Sequence, residues 1–319
     1  MRSTPETHSS VATRDKAAAV LEARKTVDRT RVTLPNFLII GAMRSGTTSL
    51  AINLRAHPGI FLAPQKEIRY FDRHFDRGLD WYLDQFQAVS GELAIGEATP
   101  NYMYSEVVME RIAALLPDVR LVAMLRDPVD RAYSHYWLNR SFGIEDLPFE
   151  EAIARERERL TRGFPDDVAY VDRGRYIRQL ERISTRWSRE KVLVLLFEDY
   201  RSDPSAVYGQ TCRFLCVDDN FIPDRLGIAI NKFVTLRSMR ALRLARHLPR
   251  LPMRVVDHLN TRMRVRYPPM DPKMRARLEE KFEPDNAALS VWLQRDLSAW
   301  KGGSHEGRRW ASGDRTRNV

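Results

Sequence analysis

The stretch that most limits what this chain can fold into is "FLIIGAMRSGTTSL", residues 37–50. Four apolar residues run into a glycine, and a second glycine, Gly46, precedes a segment that can begin a helix. A strand, a glycine-bounded loop and a helix form the arrangement that binds phosphate groups through backbone N–H groups. Nucleotide triphosphatases place a lysine after the second glycine, whereas this chain has Thr47 and Thr48 there and its nearest cation is Arg44. The loop therefore predicts a phosphate or sulfate site without a triphosphate lysine.

Similar short apolar runs recur along the chain and are continuous rather than alternating, which is typical of strands covered on both faces. They lie at 37–40, 93–95, 120–125 and 192–197. Helical patterns lie at 47–56, 105–116, 128–140, 148–160 and 173–187. This alternation predicts an α/β fold, P-loop-like and three-layered, with a central, mainly parallel sheet flanked by helices.

The motifs are spread along most of the 319 residues, which favours one domain over residues 34–300. A polar extension, residues 1–33, precedes it, and we expect the basic tail, residues 301–319, to be disordered. The formal charge of +10 indicates an anionic partner. Residues 1–25 have no apolar core of the length that a signal peptide needs, and no run approaches about 20 apolar residues, so we expect a cytoplasmic protein.

The two cysteines, Cys212 and Cys216, are four residues apart, and we interpret them as buried core thiols rather than metal ligands. A different feature is the arginine-rich segment 236–266, in which apolar residues recur at near-helical spacing. Two interpretations stay open for it. It is either an amphipathic helix packed on the core or a basic lid over an anionic or lipid-linked substrate. The second interpretation includes peripheral contact with a membrane or an amphiphilic substrate.

A second chemical motif is "LVAMLRDPVDRAYSHYW", residues 121–137. Arg126 follows the predicted strand, Asp127 is a suitable helix cap, and Pro128 suits the first helical position. Ser134 lies two helical turns beyond the cap and on the same face. Spacing alone leaves open whether Arg126 and Ser134 hold one anion or are an ordinary surface arginine and serine.

With a third stretch, "APQKEIRYFD", these motifs resemble the sulfotransferases that use 3′-phosphoadenosine 5′-phosphosulfate (PAPS). The resemblance is to the branch of the heparan sulfate N- and O-sulfotransferases and their bacterial relatives. The stretches "GEATPNYMYSEV", "RGRYIRQLERI" and "VLVLLFEDYRSDP" follow in the order of that family. The resemblance covers about residues 35–300.

The resemblance implies a sulfuryl transfer enzyme with PAPS as cofactor, PAP (3′-phosphoadenosine 5′-phosphate) as product and no metal ion. It implies Glu67 as the general base that takes the acceptor's proton, and Arg44 as the cation at the bridging oxygen. The cofactor contacts that it implies are Arg44, Ser45, Gly46, Thr47 and Thr48 at the 5′-phosphosulfate, Arg126 and Ser134 at the 3′-phosphate, and Tyr176, Arg264 and Arg266 elsewhere.

Three positions depart from that family. Arg44 stands where many relatives have lysine, and Ala98 stands where the glycan sulfotransferases carry a lysine near the reaction centre. In place of their Lys-Gly-Arg loop, this chain offers Arg264 and Arg266. These departures leave the acceptor open among a glycan, a glycolipid and a natural product, and leave O- and N-sulfation both open.

Two alternatives belong to other classes. A P-loop nucleotide kinase requires the missing lysine after Gly46. A basic protein that binds nucleic acid or membranes would explain the charge, but the arginines of 236–266 lack the interleaved aromatic residues that stack on bases. We therefore expect no nucleic-acid partner.

Overall fold

The computed structural model describes residues 33–164, 166–227 and 267–302. They form two compact units. Residues 33–125 and 179–227 belong to the first, and residues 126–178 and 267–302 to the second. The extension before residue 33, the segment 236–266 with Arg264 and Arg266, and residues 303–319 lie outside the described residues.

The first unit is built on a five-stranded sheet with strand order β2-β3-β1-β4-β5. Every neighbouring pair of strands is parallel. The strands are β1 Phe37–Gly41, β2 Ile60–Leu62, β3 Ala94–Ala98, β4 Arg120–Leu125 and β5 Val192–Leu196. The predicted parallel sheet is confirmed, and β2 is the strand that the sequence patterns did not predict.

Helices follow or separate the strands, as predicted. In chain order the described residues form α1 Thr47–Arg55, α2 Gly78–Leu83, α3 Glu106–Leu115, α4 Pro128–Phe142, α5 Phe149–Ala154, α6 Glu156–Thr161, α7 Tyr176–Ser184, α8 Phe197–Ser202, α9 Pro204–Leu215 and α10 Pro272–Leu293. The single helix predicted over 148–160 is wrong, because α5 and α6 are separated at Arg155. Glu156, which opens α6, is buried and accepts the backbone N–H groups of Val171 and Asp172 at 2.8 Å each. That contact fixes the direction of α6.

The core of the first unit joins the sheet to α1 and α9. Phe37 of β1, Leu50 of α1 and Cys212 of α9 belong to one buried apolar cluster. Cys212 is buried as predicted, but the prediction for Cys216 is wrong, because its thiol is exposed. Cys216 is the C-cap of α9 and has left-handed backbone with φ 60°. The helix therefore ends before Cys216, and the Cys216 side chain does not join the buried face that holds Cys212.

The core of the second unit packs α4 against α10. Val129 and Tyr136 of α4 share a buried cluster with Leu278 and Phe282 of α10. The predicted start of α4 is confirmed, because the Asp127 carboxylate caps the helix and proline occupies its first turn. Across the described ranges, no helix is both long and apolar enough to cross a bilayer.

Candidate active site

The loop between β1 and α1 is anchored at its first residue. The backbone N–H of Ala42 donates to the carbonyl oxygen of Met124 in β4 at 2.8 Å. Arg44 and Gly46 then take positive φ values of 72° and 89°, and α1 begins at Thr47. The N-cap residue of this helix is Gly46, which has no side chain to cap it. Its first N–H groups have no acceptor within the helix, so the helix start offers donors and partial positive charge to an anion.

Gly46 is required at this point for two reasons. Its φ of +89° disfavours side chains, and a Cβ placed there would lie 2.6 Å from the ring of Phe197. Phe197 follows β5 directly and opens α8. The chain therefore turns close against the residue that follows β5, and only glycine fits without displacing that ring.

The residues of this loop differ in how deeply they are buried. Ser45 is fully buried, and its Oγ has no hydrogen-bond partner among the described residues. Thr47 is also buried, whereas Arg44 and Thr48 are half-buried. A buried hydroxyl without a partner costs free energy, so its presence needs an explanation. An oxyanion is a suitable acceptor for it, and the loop thus fits a phosphosulfate by its chemistry.

Glu67 lies at the same edge of the sheet as this loop. The backbone N–H of Glu67 donates to the carbonyl oxygen of Ala98, the last residue of β3, at 3.2 Å. Ala98 is opposite Ile39 of β1, two residues before the strand ends at Gly41. Neighbouring parallel strands have their carboxyl ends at the same edge of the sheet. The structure therefore places the predicted base and the predicted phosphosulfate loop at the ends of adjacent strands.

The Glu67 side chain is accessible, as a general base must be. It is 36% exposed, and its Oε1 lies 3.4 Å from the Nζ of Lys66. Two residues further on, the guanidinium of Arg69 donates from Nε and Nη2 to one carboxylate oxygen of Asp72, at 3.0 and 2.7 Å. The ion pair between Arg69 and Asp72 therefore stabilises the chain segment that follows the predicted base.

Beneath this segment lies a buried carboxylate that the sequence analysis missed. Glu97 in β3 is fully buried and accepts hydrogen bonds from three hydroxyl groups. These are Tyr82 at 3.1 Å and Tyr102 at 3.0 Å, both to Oε1, and Thr99 at 2.7 Å to Oε2. Burial raises the pKa of Glu97 to about 7, and the bonds from Thr99, Tyr102 and Tyr82 limit that rise. A carboxylate inside an otherwise strand-like run was the available signal.

In the second unit, Arg126 directly follows β4 and precedes the capping residue of α4. Tyr176, the first residue of α7, donates its phenol O–H to the backbone carbonyl oxygen of Arg126 at 2.9 Å. Tyr176 is buried, with 1% of its surface exposed. The structure thus brings two of the predicted cofactor residues together, with Tyr176 supporting the backbone of Arg126.

Ser134 is buried in α4. The start of that helix is fixed by Arg275 of α10, whose guanidinium pairs with Asp130 and lies 3.5 Å from Asp127. Arg275 is a second residue that the sequence analysis missed, because nothing in its neighbourhood marks it among the other arginines. His135 is fully buried with its ring edge-on to Tyr170, as suits a structural histidine.

Within the described residues, no group of His, Cys, Asp and Glu side chains is arranged to hold a metal ion. A protein-family model described as "Sulfotransferase domain" matches residues 34–282. The chain belongs to the sulfotransferase family. The predicted family is thereby confirmed, and membership favours sulfuryl transfer over the kinase and binding-protein alternatives.

The sulfotransferase domain is similar to a crystal structure of a sulfotransferase from Alicyclobacillus acidocaldarius. The two are 32% identical with a TM-score of 0.67, over 84% of this chain and 99% of that one. The bifunctional heparan sulfate N-deacetylase/N-sulfotransferase 4 of Mus musculus is 29% identical over 84% of this chain and 31% of its own length. The membrane-associated sulfotransferase kil1 of Dictyostelium discoideum is 38% identical over 37% of this chain and 28% of its own length. The chain thus spans about a third or less of the length of these two curated relatives.

Proposed function

We propose that residues 34–300 transfer a sulfuryl group from PAPS to a hydroxyl or amine of an acceptor. The observation that carries the proposal is the loop after β1. It contains a helix start whose N-cap is Gly46, a buried Ser45 hydroxyl with no hydrogen-bond partner among the described residues, and the cation Arg44. It follows a strand whose neighbour, β3, holds the backbone of Glu67. A single loop thus provides hydrogen-bond donors and one full charge for an anion.

PAPS supplies the sulfuryl group when it is bound, and PAP is the leaving group. Ser45, Gly46, Thr47 and Thr48 would bind the 5′-phosphosulfate through N–H and hydroxyl groups. Arg44 would stabilise the charge that develops on the bridging oxygen as its bond to sulfur breaks. This electrostatic role does not require a lysine, although the planar guanidinium constrains the direction of its hydrogen bonds.

Glu67 would accept the proton of the acceptor O–H or N–H while the new bond to sulfur forms. Its carboxylate is accessible and its backbone is fixed to β3. General-base catalysis requires the carboxylate to reach that proton within hydrogen-bond distance, so a fixed backbone favours the reaction.

Arg126 and Ser134 would bind the 3′-phosphate, and Tyr176 would help by holding the carbonyl of Arg126. The charge of Arg126 is suited to a phosphate that most adenine nucleotides lack. Arg264 and Arg266, outside the described residues, complete the proposed set of cofactor contacts.

For the acceptor we propose a glycan or glycolipid, with a natural product as the remaining class. The name of the murine relative, a heparan sulfate N-sulfotransferase, supports a glycan. We retain the proposal of a cytoplasmic location, although the Dictyostelium relative is named as membrane-associated. The test is transfer from radiolabelled PAPS to heparan sulfate, a glycolipid and a simple phenol. We expect label on at least one acceptor with matching formation of PAP, whereas PAP binding without transfer to any acceptor would contradict the proposal.

A further inference from the structure

Glu97 needs an explanation beyond packing. It lies in β3 in the interior of the first unit and is fully buried. An apolar side chain of similar size would fill the same space without the cost of burying a carboxyl group. The structure instead supplies three hydroxyl donors to it, from Tyr82, Thr99 and Tyr102. Buried carboxylates with such assembled partners are concentrated at functional sites.

The bonds of Glu97 continue into the segment that carries the proposed base. Thr99 donates to Glu97 through its Oγ1, and the same Oγ1 accepts the backbone N–H of Arg69 at 3.3 Å. One residue from Glu97, the carbonyl of Ala98 accepts the backbone N–H of Glu67. The residues that directly follow Glu97 in the chain therefore hold two backbone amides of residues 67–71, which we call the base segment.

Those two amides belong to residues with unusual backbone geometry. Glu67 and Arg69 have φ values of 59° and 57°. Left-handed backbone is unfavourable for a residue with a side chain, so it persists only where surrounding contacts hold it. The hydrogen bonds to Ala98 and Thr99 are such contacts. If these hydrogen bonds were lost, the base segment could adopt a more favourable backbone conformation and Glu67 would move.

The two tyrosines that donate to Glu97 also support this segment with their rings. Tyr82 stacks on Tyr70, with ring centroids 4.5 Å apart and an interplanar angle of 12°. Phe71 packs edge-on against both Tyr82 and Tyr102, at 5.3 and 5.5 Å. The orientation of these rings is set by their O–H bonds to Glu97. The carboxyl group thus fixes the tyrosines on which residues 70 and 71 rest.

We propose that Glu97 is a positioning residue that holds Glu67 in place for proton transfer, acting through Thr99 and the tyrosine pair. The inference rests on the proposed function, because it assigns the proton transfer to Glu67. Glu97 itself is fully buried and is hydrogen-bonded to three hydroxyl groups of the protein, so its effect on the reaction is indirect. Its loss would therefore slow the chemical step without weakening cofactor binding.

The test compares Glu97→Gln with a matched pair at its partner, Thr99→Val and Thr99→Ser. Valine keeps the shape of threonine but lacks the hydroxyl, whereas serine keeps the hydroxyl. Turnover is measured with radiolabelled PAPS, as sulfate released to water or transferred to heparan sulfate, and PAP binding by calorimetry. At about pH 8, where Glu97 with its pKa of about 7 is ionised, we expect kcat to fall about tenfold or more for Glu97→Gln and Thr99→Val. KM for PAPS and Kd for PAP should be unchanged, and Thr99→Ser should restore kcat.

Wild-type kcat in both Glu97→Gln and Thr99→Val would overturn the inference, as would a loss of PAP affinity parallel to the loss of kcat. Should Glu97→Gln not fold, the comparison of valine with serine at position 99 decides alone. Glu67→Gln in the same assay separates the two claims. If it retains turnover, the base assignment fails and the positioning inference falls with it. If it is inactive while Glu97→Gln and Thr99→Val behave as wild type, only the positioning inference fails.

Discussion

The backbone N–H of Glu67 donates a 3.2 Å hydrogen bond to the carbonyl oxygen of Ala98. This bond attaches the proposed base to β3, whose end adjoins β1 and the loop with Arg44 and Ser45. The resemblance marked Ala98 as a departure because glycan sulfotransferases carry lysine there. In this chain its backbone has a role that does not depend on the side chain.

Glu67→Gln should abolish transfer, because the amide cannot accept the acceptor's proton. We expect kcat to fall by about 100-fold or more while PAP affinity stays unchanged. Steady-state transfer from radiolabelled PAPS and calorimetry with PAP measure the two quantities. Asp118→Asn, which neutralises an exposed carboxylate in the same unit, is the control. Wild-type turnover in Glu67→Gln would assign the base to another group.

Arg126→Ala should weaken PAP binding, because a charged hydrogen bond to the 3′-phosphate is lost. Such a bond contributes about 1.5–3 kcal/mol, which corresponds to roughly a 10- to 150-fold rise in Kd. Binding of adenosine 5′-phosphosulfate, which lacks the 3′-phosphate, should not change. The control is Arg162→Ala, since that side chain is 70% exposed and in the same unit. Equal weakening of both ligands would remove Arg126 from the 3′-phosphate site.

Gly46→Ala should both destabilise the protein and impair PAP binding, because the new methyl group would meet Phe197. Gly163→Ala is a matched control, with a φ of +79° and no atom within 4 Å of the new Cβ. The free energy of unfolding of the control should fall only by the roughly 1–2 kcal/mol that left-handed backbone costs a residue with a side chain. Denaturant unfolding and calorimetry should show a larger loss for Gly46→Ala. Equal stability of the two variants would contradict the close approach of Phe197.

The stability of the protein should depend on pH through Glu97. Its folded-state pKa is raised to about 7 from an ordinary value of 4.5, with Tyr82, Tyr102 and Asp72 as its neighbouring ionisable groups. The folded state therefore holds this proton more tightly than the unfolded state. The contribution of this proton to the free energy of unfolding is complete below pH 4.5 and is lost as the pH rises through about 7.

The measurement is the free energy of unfolding of wild type and Glu97→Gln at about pH 5 and about pH 8. Relative to the variant, wild type should lose roughly 3 kcal/mol across that interval. A difference between the two proteins that does not change with pH would mean that Glu97 ionises at its ordinary pKa.

The parts of the structure that depend on local sequence were predictable. The strand, loop and helix around Gly46 follow from one apolar run and one glycine spacing, and the cap of α4 follows from Asp127 and Pro128. Each of these features is decided by residues close in the chain, so pattern and propensity suffice. The role of Glu67 as a base was suggested only by the resemblance, and its position at the end of β3 comes from the structure.

The parts that depend on distant contacts were not predictable. Glu97 gains its partners from Tyr82 and Tyr102, which lie 15 and 5 residues away on either side. Arg275 meets Asp130 across 145 residues. Strand β2 has three residues, too few for a pattern, and it forms because β3 offers it a parallel neighbour. The cytoplasmic location and the roles of all the predicted site residues, including Arg264 and Arg266, stay predictions.

The most direct test of the proposed cofactor is a calorimetric titration of the protein with PAP, beside adenosine 5′-phosphate and ATP with magnesium. We predict that PAP binds with micromolar affinity, that removing the 3′-phosphate weakens binding sharply, and that magnesium has no effect. Tighter binding of ATP with magnesium, or the absence of binding by all three, would contradict this prediction.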